Sequence, residues 1–141
     1  MKPFLLLLMI FLHIVDDFHL QGILAQMKQK SWWIDQINAM TFPNYDSQEE
    51  GREAARKQYK HDWIPALIIH SFSWTFMIML PIAWYMNFRI NLGFILVLMI
   101  NVKLHALVDH AKANRRVINL VEDQAIHLFQ VFVTWLLVFL V

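Results

Sequence analysis

Four long apolar blocks alternate with polar stretches in this chain, and each block carries a histidine near one end. The blocks cover residues 3–26, 63–86, 90–111 and 117–141, approximately. Blocks of about 20 apolar residues are long enough to cross a bilayer as helices. The pattern therefore predicts an all-α fold. We expect an integral membrane four-helix bundle that forms a single transmembrane domain over residues 1–141.

The composition agrees with a membrane protein. Hydrophobic residues make up 58% of the chain and charged residues only 16%, against roughly 25% charged residues in soluble domains. The chain has no cysteine, which excludes disulfides, thiolate metal sites and cysteine nucleophiles. The net charge is +1 and no dense basic tract occurs. We therefore expect the lipid bilayer, and not a nucleic acid, as a partner.

A polar loop, residues 27–62, separates the first two blocks. Ser47 and Glu50 form a capping-box pattern ahead of a run rich in helix-forming residues, which predicts a short surface helix in this loop. Pro81 lies inside the second block, where proline removes a backbone hydrogen bond. We expect it to kink the second helix or to end its regular hydrogen bonding.

The basic residues predict the orientation in the membrane, because cytoplasmic loops are enriched in lysine and arginine. The first and third loops carry nine of them, and the other side of the membrane carries only Lys2 and Arg89. We therefore expect both termini to face outward and loops one and three to be cytoplasmic. The nine are Lys28, Lys30, Arg52, Arg56, Lys57, Lys60, Lys112, Arg115 and Arg116.

A histidine and an aspartate recur four residues apart in three of the blocks. Four residues turn a helix by about 400°, so the two side chains of each pair lie on one helix face. The remaining block, the second in the chain, adds a single histidine, and the predicted orientation brings all seven side chains to one depth near the cytoplasmic surface. The seven are His13, Asp17, His70, His105, Asp109, Asp123 and His127.

These seven side chains predict a metal site. An aspartate at a helix centre costs roughly 2.5–3.5 kcal/mol to insert, and ionisable groups within a membrane usually face the bundle interior and serve a function. Mixed nitrogen and oxygen ligands suit zinc, manganese or iron. Seven ligands suffice for two divalent ions, with Asp17 or Asp109 bridging. The alternative is a polar network without metal that fixes the helix register.

Neighbouring polar residues have predicted supporting roles. Amides one turn or one residue from the ligands are expected to orient them, namely Gln21, Asn101 and Gln124. Cations at the cytoplasmic mouth are expected to hold an anionic group such as phosphate, namely Lys28, Lys112 and Arg116; alternatively, they only reflect the positive-inside rule. Asp16 competes with Asp17 as a ligand, and we interpret it as a catalytic base free of metal.

These motifs resemble those of a family of small bacterial and phage membrane proteins of unknown function. The chain has His-x-x-x-Asp-Phe-x-Leu-Gln at residues 13–21, a central His70, His-x-x-x-Asp-x-x-Lys at residues 105–112 and Asp-Gln-x-x-His at residues 123–127. More loosely, the chain is similar to the membrane-bound metal-dependent hydrolases. Both resemblances imply a metal site, and neither implies a particular substrate. The resemblance to the small membrane proteins also implies a bacterial inner membrane, in which the predicted orientation makes both termini periplasmic.

The leading hypothesis from the sequence is a metal-dependent hydrolase at the cytoplasmic face, acting on a phosphoester or a lipid-like anionic substrate. A second hypothesis is transport or sensing of a metal ion or proton, because intramembrane His/Asp chains also form relays. The apolar outer halves of the helices argue against a continuous path. A third is a non-enzymatic, phage-type membrane module. All three hypotheses are compatible with an oligomer.

Overall fold

The computed structural model describes residues 2–140, with side chains described up to residue 138. Residue 141, the predicted end of the fourth helix, lies outside this range. Within residues 2–140 the chain is helical, without a strand, which confirms the predicted all-α class. The helices are α1 (Lys2–Val15), α2 (Leu24–Met27), α3 (Lys30–Ala39), α4 (Gln48–Gln58), α5 (Trp63–Tyr85), α6 (Leu92–His110) and α7 (Leu120–Leu140).

Two helices continue into a π-helical turn. Asp16–Leu20 follows α1, and Ala111–Arg115 follows α6. With these turns included, three of the described helices are long and apolar enough to cross a membrane: Lys2–Leu20, Trp63–Tyr85 and Leu92–Arg115. Many large apolar side chains on these helices are exposed. Such extensive apolar surface is unusual on a soluble monomer and is compatible with contact to lipid.

Helix α5 is the element around which the others pack. It contacts α1, α2, α6 and α7, and more than half of its apolar span is buried. Trp74 of α5 is fully buried and joins an apolar core with Leu5, Met9, Ile78 and Val131. The helix runs past Pro81 to Tyr85, so proline does not end it, and a kink at this residue stays a prediction.

The first predicted helix, 3–26, ends earlier than expected. Gly22 has a φ of +50°, a left-handed conformation that glycine adopts without steric cost. The chain therefore leaves the helix after Leu20 and forms the separate short helix α2. As a result Lys28 does not lie on a continuation of the first helix. It is brought back against α6, where it contacts Asp109.

The polar loop contains two helices where the sequence predicted one. Helix α4 confirms the capping-box prediction, since the Ser47 Oγ accepts a hydrogen bond from the Glu50 N–H at 3.2 Å. Helix α3 escaped prediction because its residue before the first turn makes no side-chain cap and its apolar residues do not form one stripe. The two helices pack against each other.

Gly51 sets how closely the loop approaches α4. A Cβ at this buried glycine would lie 2.3 Å from the Phe42 Cβ. Phe42 has little freedom to retreat, because its backbone exchanges two hydrogen bonds with the Gln48 side chain, at 3.0 and 3.3 Å. The close approach therefore requires a residue without a side chain.

We expect Gly51→Ala to loosen the 41–58 segment, although alanine favours an isolated helix by about 1 kcal/mol. The added methyl group displaces Phe42, so amide hydrogen exchange of this segment in detergent should become faster. Glu53→Ala, an exposed change on the same helix, is the control and should leave exchange unchanged. Slower exchange in Gly51→Ala would contradict the packing described here.

Candidate metal centre

Six of the seven predicted ligand side chains converge on one buried site. Each is at most 9% exposed. The π-helical turn after α1 provides one of them, α5 another, and α6 and α7 two each. The six are Asp17, His70, His105, Asp109, Asp123 and His127.

Asp109 lies at the centre of this site. Its Oδ2 atom is 3.2 Å from the His70 Nε2 and 3.7 Å from the His105 Nε2. Its Oδ1 atom is 3.4 Å from the His127 Nε2. For metal–ligand bonds of about 2.0–2.1 Å, two ligands of a tetrahedral ion lie about 3.3 Å apart. Donor atoms at these separations could therefore surround a metal ion.

The donor atoms form three overlapping groups. In each group all three atoms lie within 4.8 Å of one another. Asp17, His105 and His127 each belong to two groups, so the groups are neighbours in one continuous site. The groups are Asp17/His70/His105, His105/Asp109/His127 and Asp17/Asp123/His127. These buried His/Asp groups could hold a metal ion, and their nitrogen and oxygen donors suit zinc, manganese or iron.

Hydrogen bonding alone leaves part of this site unsatisfied. The Nε2 atoms of His70 and His105 face each other at 3.1 Å, a contact that a single N–H can satisfy. The Asp123 Oδ1 is buried without a hydrogen-bond partner among the described residues. Buried polar atoms without partners call for an explanation, and a cation among these donors provides one.

Trp74 fixes the orientation of the imidazole rings. Its ring stacks on His105 with 4.2 Å between centroids, and His105 stacks in turn on His127 at 4.1 Å. Sequence reasoning assigned no role to Trp74. The available signal was its position four residues after His70, on the same face of α5.

His13, the seventh predicted ligand, belongs to none of the three groups. Its Nδ1 accepts a hydrogen bond from the Trp74 Nε1 at 2.7 Å. A neutral ring then carries its proton on Nε2, which leaves no free nitrogen lone pair for a metal. In this arrangement His13 holds Trp74 in place, and its role as a ligand remains only a prediction.

Two of the three predicted orienting amides contact the carboxylates. The Gln21 amide donates to the Asp17 Oδ1 at 2.7 Å. The Gln124 amide donates to the Asp17 Oδ2 at 2.6 Å and to the Asp123 Oδ2 at 3.1 Å. These three bonds fix carboxylates of the site in the way that metal ligands require.

Asn101 does not bond to His105, contrary to expectation. Its amide donates to the Val97 carbonyl at 2.9 Å, and its Oδ1 accepts from Gln130 at 2.8 Å and from Thr134 at 3.0 Å. The side chain turns toward the preceding helical turn and toward α7. Asn101 therefore joins α6 to α7 instead of orienting a ligand.

The three predicted substrate-binding cations have different surroundings. Lys28 is buried, and its Nζ lies 2.5 Å from the Asp109 Oδ2. Lys112 donates to the Asp123 Oδ2. Both lysines thus contact the site's own carboxylates, which the sequence did not reveal. Arg116 is exposed and adopts a left-handed conformation with φ of 55°.

Asn114 holds Lys28 near the site. Its amide donates to the Lys28 carbonyl at 3.0 Å, and its Oδ1 accepts from the Lys30 N–H at 2.8 Å. The residue comes from the π-helical turn after α6. Sequence reasoning missed this contact because it joins segments more than 80 residues apart.

Asp16, the predicted base, is buried beside the site but belongs to none of the three groups. Its Oδ1 accepts a hydrogen bond from the Ser73 Oγ at 2.7 Å, and its Oδ2 has no hydrogen-bond partner among the described residues. In a regular helix Asp16 and Asp17 would point about 100° apart. In the wider π-helical turn, the side chains of Asp16 and Asp17 are both buried.

Comparison with protein-family profiles, curated proteins and solved structures gives no match for this chain. The resemblance to small membrane proteins therefore stays a prediction that depends on the motifs alone. The metal centre is inferred from the spacing of the donor atoms.

We expect Asp109→Asn to destabilise the chelator-treated protein by about 3–5 kcal/mol, because the substitution leaves the Lys28 ammonium buried without its counter-ion. Adding Lys28→Met should recover much of this loss. Denaturant unfolding in mild detergent would measure both variants and the Lys28→Met single variant. The control cycle uses Glu49 and Arg56, an exposed pair at 3.0 Å, for which we expect about 0–1 kcal/mol. Strict additivity of the two buried substitutions would contradict a coupled pair.

Proposed function

We propose that this chain is a membrane-embedded metal-dependent hydrolase that acts at the cytoplasmic face on a phosphoester or a lipid-like anionic substrate. The observation that carries the proposal is the position of Asp109, with the Nε2 atoms of His70, His105 and His127 at 3.2–3.7 Å from its oxygens. A purely structural network has no need to bring three imidazole nitrogens to one carboxylate inside an apolar protein.

We also propose that four helices span the membrane. Helix α7 has 21 residues and is about 31 Å long, close to the hydrocarbon thickness of about 30 Å. It packs against α1, α5 and α6, and would complete a four-helix bundle with the three apolar spans. The distribution of lysine and arginine supports periplasmic termini and a cytoplasmic metal centre.

We propose two metal ions. Asp17, His70 and His105 would hold one, and Asp17, Asp123 and His127 the other, because both groups have suitable donor spacing. Asp109 lies between them with Oδ2 toward His70 and Oδ1 toward His127, which suits a bridging carboxylate. Asp17 and Asp109, the two carboxylates predicted from the sequence as bridging ligands, would thus both serve as ligands.

The charge balance also favours a bound cation. Four carboxylates are buried in this region, from Asp16, Asp17, Asp109 and Asp123. Two lysines, Lys28 and Lys112, contact them. When all four carboxylates are ionised and the histidines are neutral, two negative charges remain uncompensated, and burying them is costly. One divalent ion would neutralise this excess, and a second would make the site attractive to an anionic substrate.

The neighbouring side chains suit hydrolysis. A bound divalent ion lowers the pKa of water toward neutrality and polarises a phosphoryl oxygen. Asp16 would accept the proton of the attacking water through its Oδ2, while the Ser73 hydroxyl fixes its Oδ1. Gln21 and Gln124 hold the Asp17 carboxylate from both sides, so the ligand keeps its orientation during the reaction. Arg116 remains a candidate for contact with an anionic group.

Transport of a metal ion or proton is the second candidate function. A buried polar network of Asn101, Gln130 and Thr134 extends from the site along α6 and α7, as a relay would require. Farther along the bundle the buried layer is apolar and includes Leu5 and Ile82. An apolar layer of this kind interrupts a polar path, and for this reason we favour hydrolysis.

The metal content per chain tests the centre. We expect about two ions on protein purified in mild detergent, and none in Asp17→Ala/Asp109→Ala, because both proposed sites lose ligands. Asp35→Ala/Asp46→Ala removes two exposed carboxylates and is the matched control, which should retain both ions. One ion per chain would overturn the dinuclear assignment. A well-folded wild type without metal would overturn the hydrolase.

Asp16→Asn tests the proposed base. We expect bound metal to be retained, since Asp16 belongs to no donor group, and hydrolysis of an activated phosphoester to fall about 10²–10⁴-fold. Metal analysis and rate measurements on the same preparation would separate the two effects. Asp35→Asn is the control and should keep the full rate. Unchanged hydrolysis in Asp16→Asn would exclude Asp16 as the base.

A further inference from the structure

A second potential site lies beside the metal centre, in a cavity of about 380 Å³ formed by α3, α4 and the beginning of α5. Its lining combines basic and aromatic side chains over an apolar base formed by Ile34 and Ile37. We call it the basic cavity. Its basic and aromatic residues are Lys30, Arg56, Lys60, His61, Trp33, Tyr59 and Trp63.

The aromatic residues give the basic cavity a fixed shape. Trp33 stacks on Tyr59 with 6.0 Å between ring centroids and 17° between ring planes. Its Nε1 donates to the Met27 carbonyl at 2.8 Å, which anchors the indole. These contacts join α3 to the end of α4, so the cavity is part of the packed loop.

The opposite wall of the basic cavity packs against the end of α6. The Lys30 Nζ lies 4.6 Å above the centroid of the Trp63 ring. Trp63 stacks in turn on His110, with 5.0 Å between centroids. His110 directly follows Asp109 in the chain. A ligand held by Lys30 and Trp63 would therefore lie next to the helix that carries the central carboxylate of the metal site.

The charge of the basic cavity favours an anion. Three cations line it and no carboxylate does. Arg56 contacts Glu49 at 3.0 Å outside the lining, in an exposed pair that costs little to break. Lys28 and Lys112, the cations that the sequence assigned to substrate, contact carboxylates of the metal site instead. The three cations of the basic cavity are thus better placed to bind an anionic ligand than Lys28 and Lys112 are.

We propose that the basic cavity binds the phosphate of an anionic membrane lipid headgroup, with Lys30, Arg56 and Lys60 donating to its oxygens. Tryptophan prefers the headgroup level of a bilayer, and Trp33 and Trp63 would contact the glycerol region while Ile34 contacts the start of a chain. The assignment names the substrate class of the proposed hydrolase and in that respect depends on the proposed function. Binding itself requires no turnover.

The test uses the full chain in mild detergent, treated with chelator so that hydrolysis cannot occur. Native mass spectrometry would count the retained molecules of dihexanoyl phosphatidylglycerol, dihexanoyl phosphatidylcholine and glycerol 3-phosphate. We expect the anionic lipid to bind most tightly. Lys30→Ala/Lys60→Ala should weaken its binding about 10- to 30-fold, and Lys30→Arg/Lys60→Arg should retain most of it because the charges remain.

The matched control is Lys57→Ala/Arg115→Ala, which removes two charges from the same side of the protein but outside the cavity lining. Binding within twofold of wild type is expected. An equal loss in this control would overturn the site in favour of a general charge effect. Glycerol 3-phosphate binding as tightly as the lipid would overturn the lipid assignment. If the protein as purified, before any chelator treatment, holds no metal but still binds the lipid, the hydrolase is refuted and the basic cavity stands.

Discussion

The buried carboxylate of Asp109 is the constraint on which the rest of the site depends. Placing a charge in an apolar interior is costly unless several partners surround it, and here three imidazoles and the Lys28 ammonium do so. Those partners come from α5, α6, α7 and the segment after α2. The long helices and the polar loop are therefore joined at one residue, and the apolar core around Trp74 packs against this junction.

The main features of the fold follow from local patterns in the sequence. Long apolar blocks are almost independent of tertiary context, so α5, α6 and α7 could be predicted to within a few residues, and the Ser47 cap located α4. The break at Gly22 could not be predicted, because a glycine inside an apolar stretch is compatible with a continuous helix. The π-helical turns were equally hidden, since they depend on tertiary contacts of residues such as Asp16 and Ser73.

The candidate site was predictable where it depends on helical spacing. Pairs such as Asp123 and His127 lie on one face whatever the rest of the chain does. Contacts that depend on how helices meet could not be predicted in this way, and Lys28 illustrates the limit. Its sequence position suggested an open mouth, whereas the turn at Gly22 and the clamp from Asn114 bring it against Asp109.

The long sequence separation of the Lys28–Asp109 pair has a consequence for assembly. The two residues lie 81 positions apart, and helices of a membrane protein are synthesised in order. Asp16 and Asp17 therefore leave the ribosome long before His105, Asp109 or His127 exist to surround them. Only the last helix completes the set of partners. In the proposed membrane topology, burial of the carboxylates after the first helix therefore becomes favourable only late in biogenesis, when these partners are present.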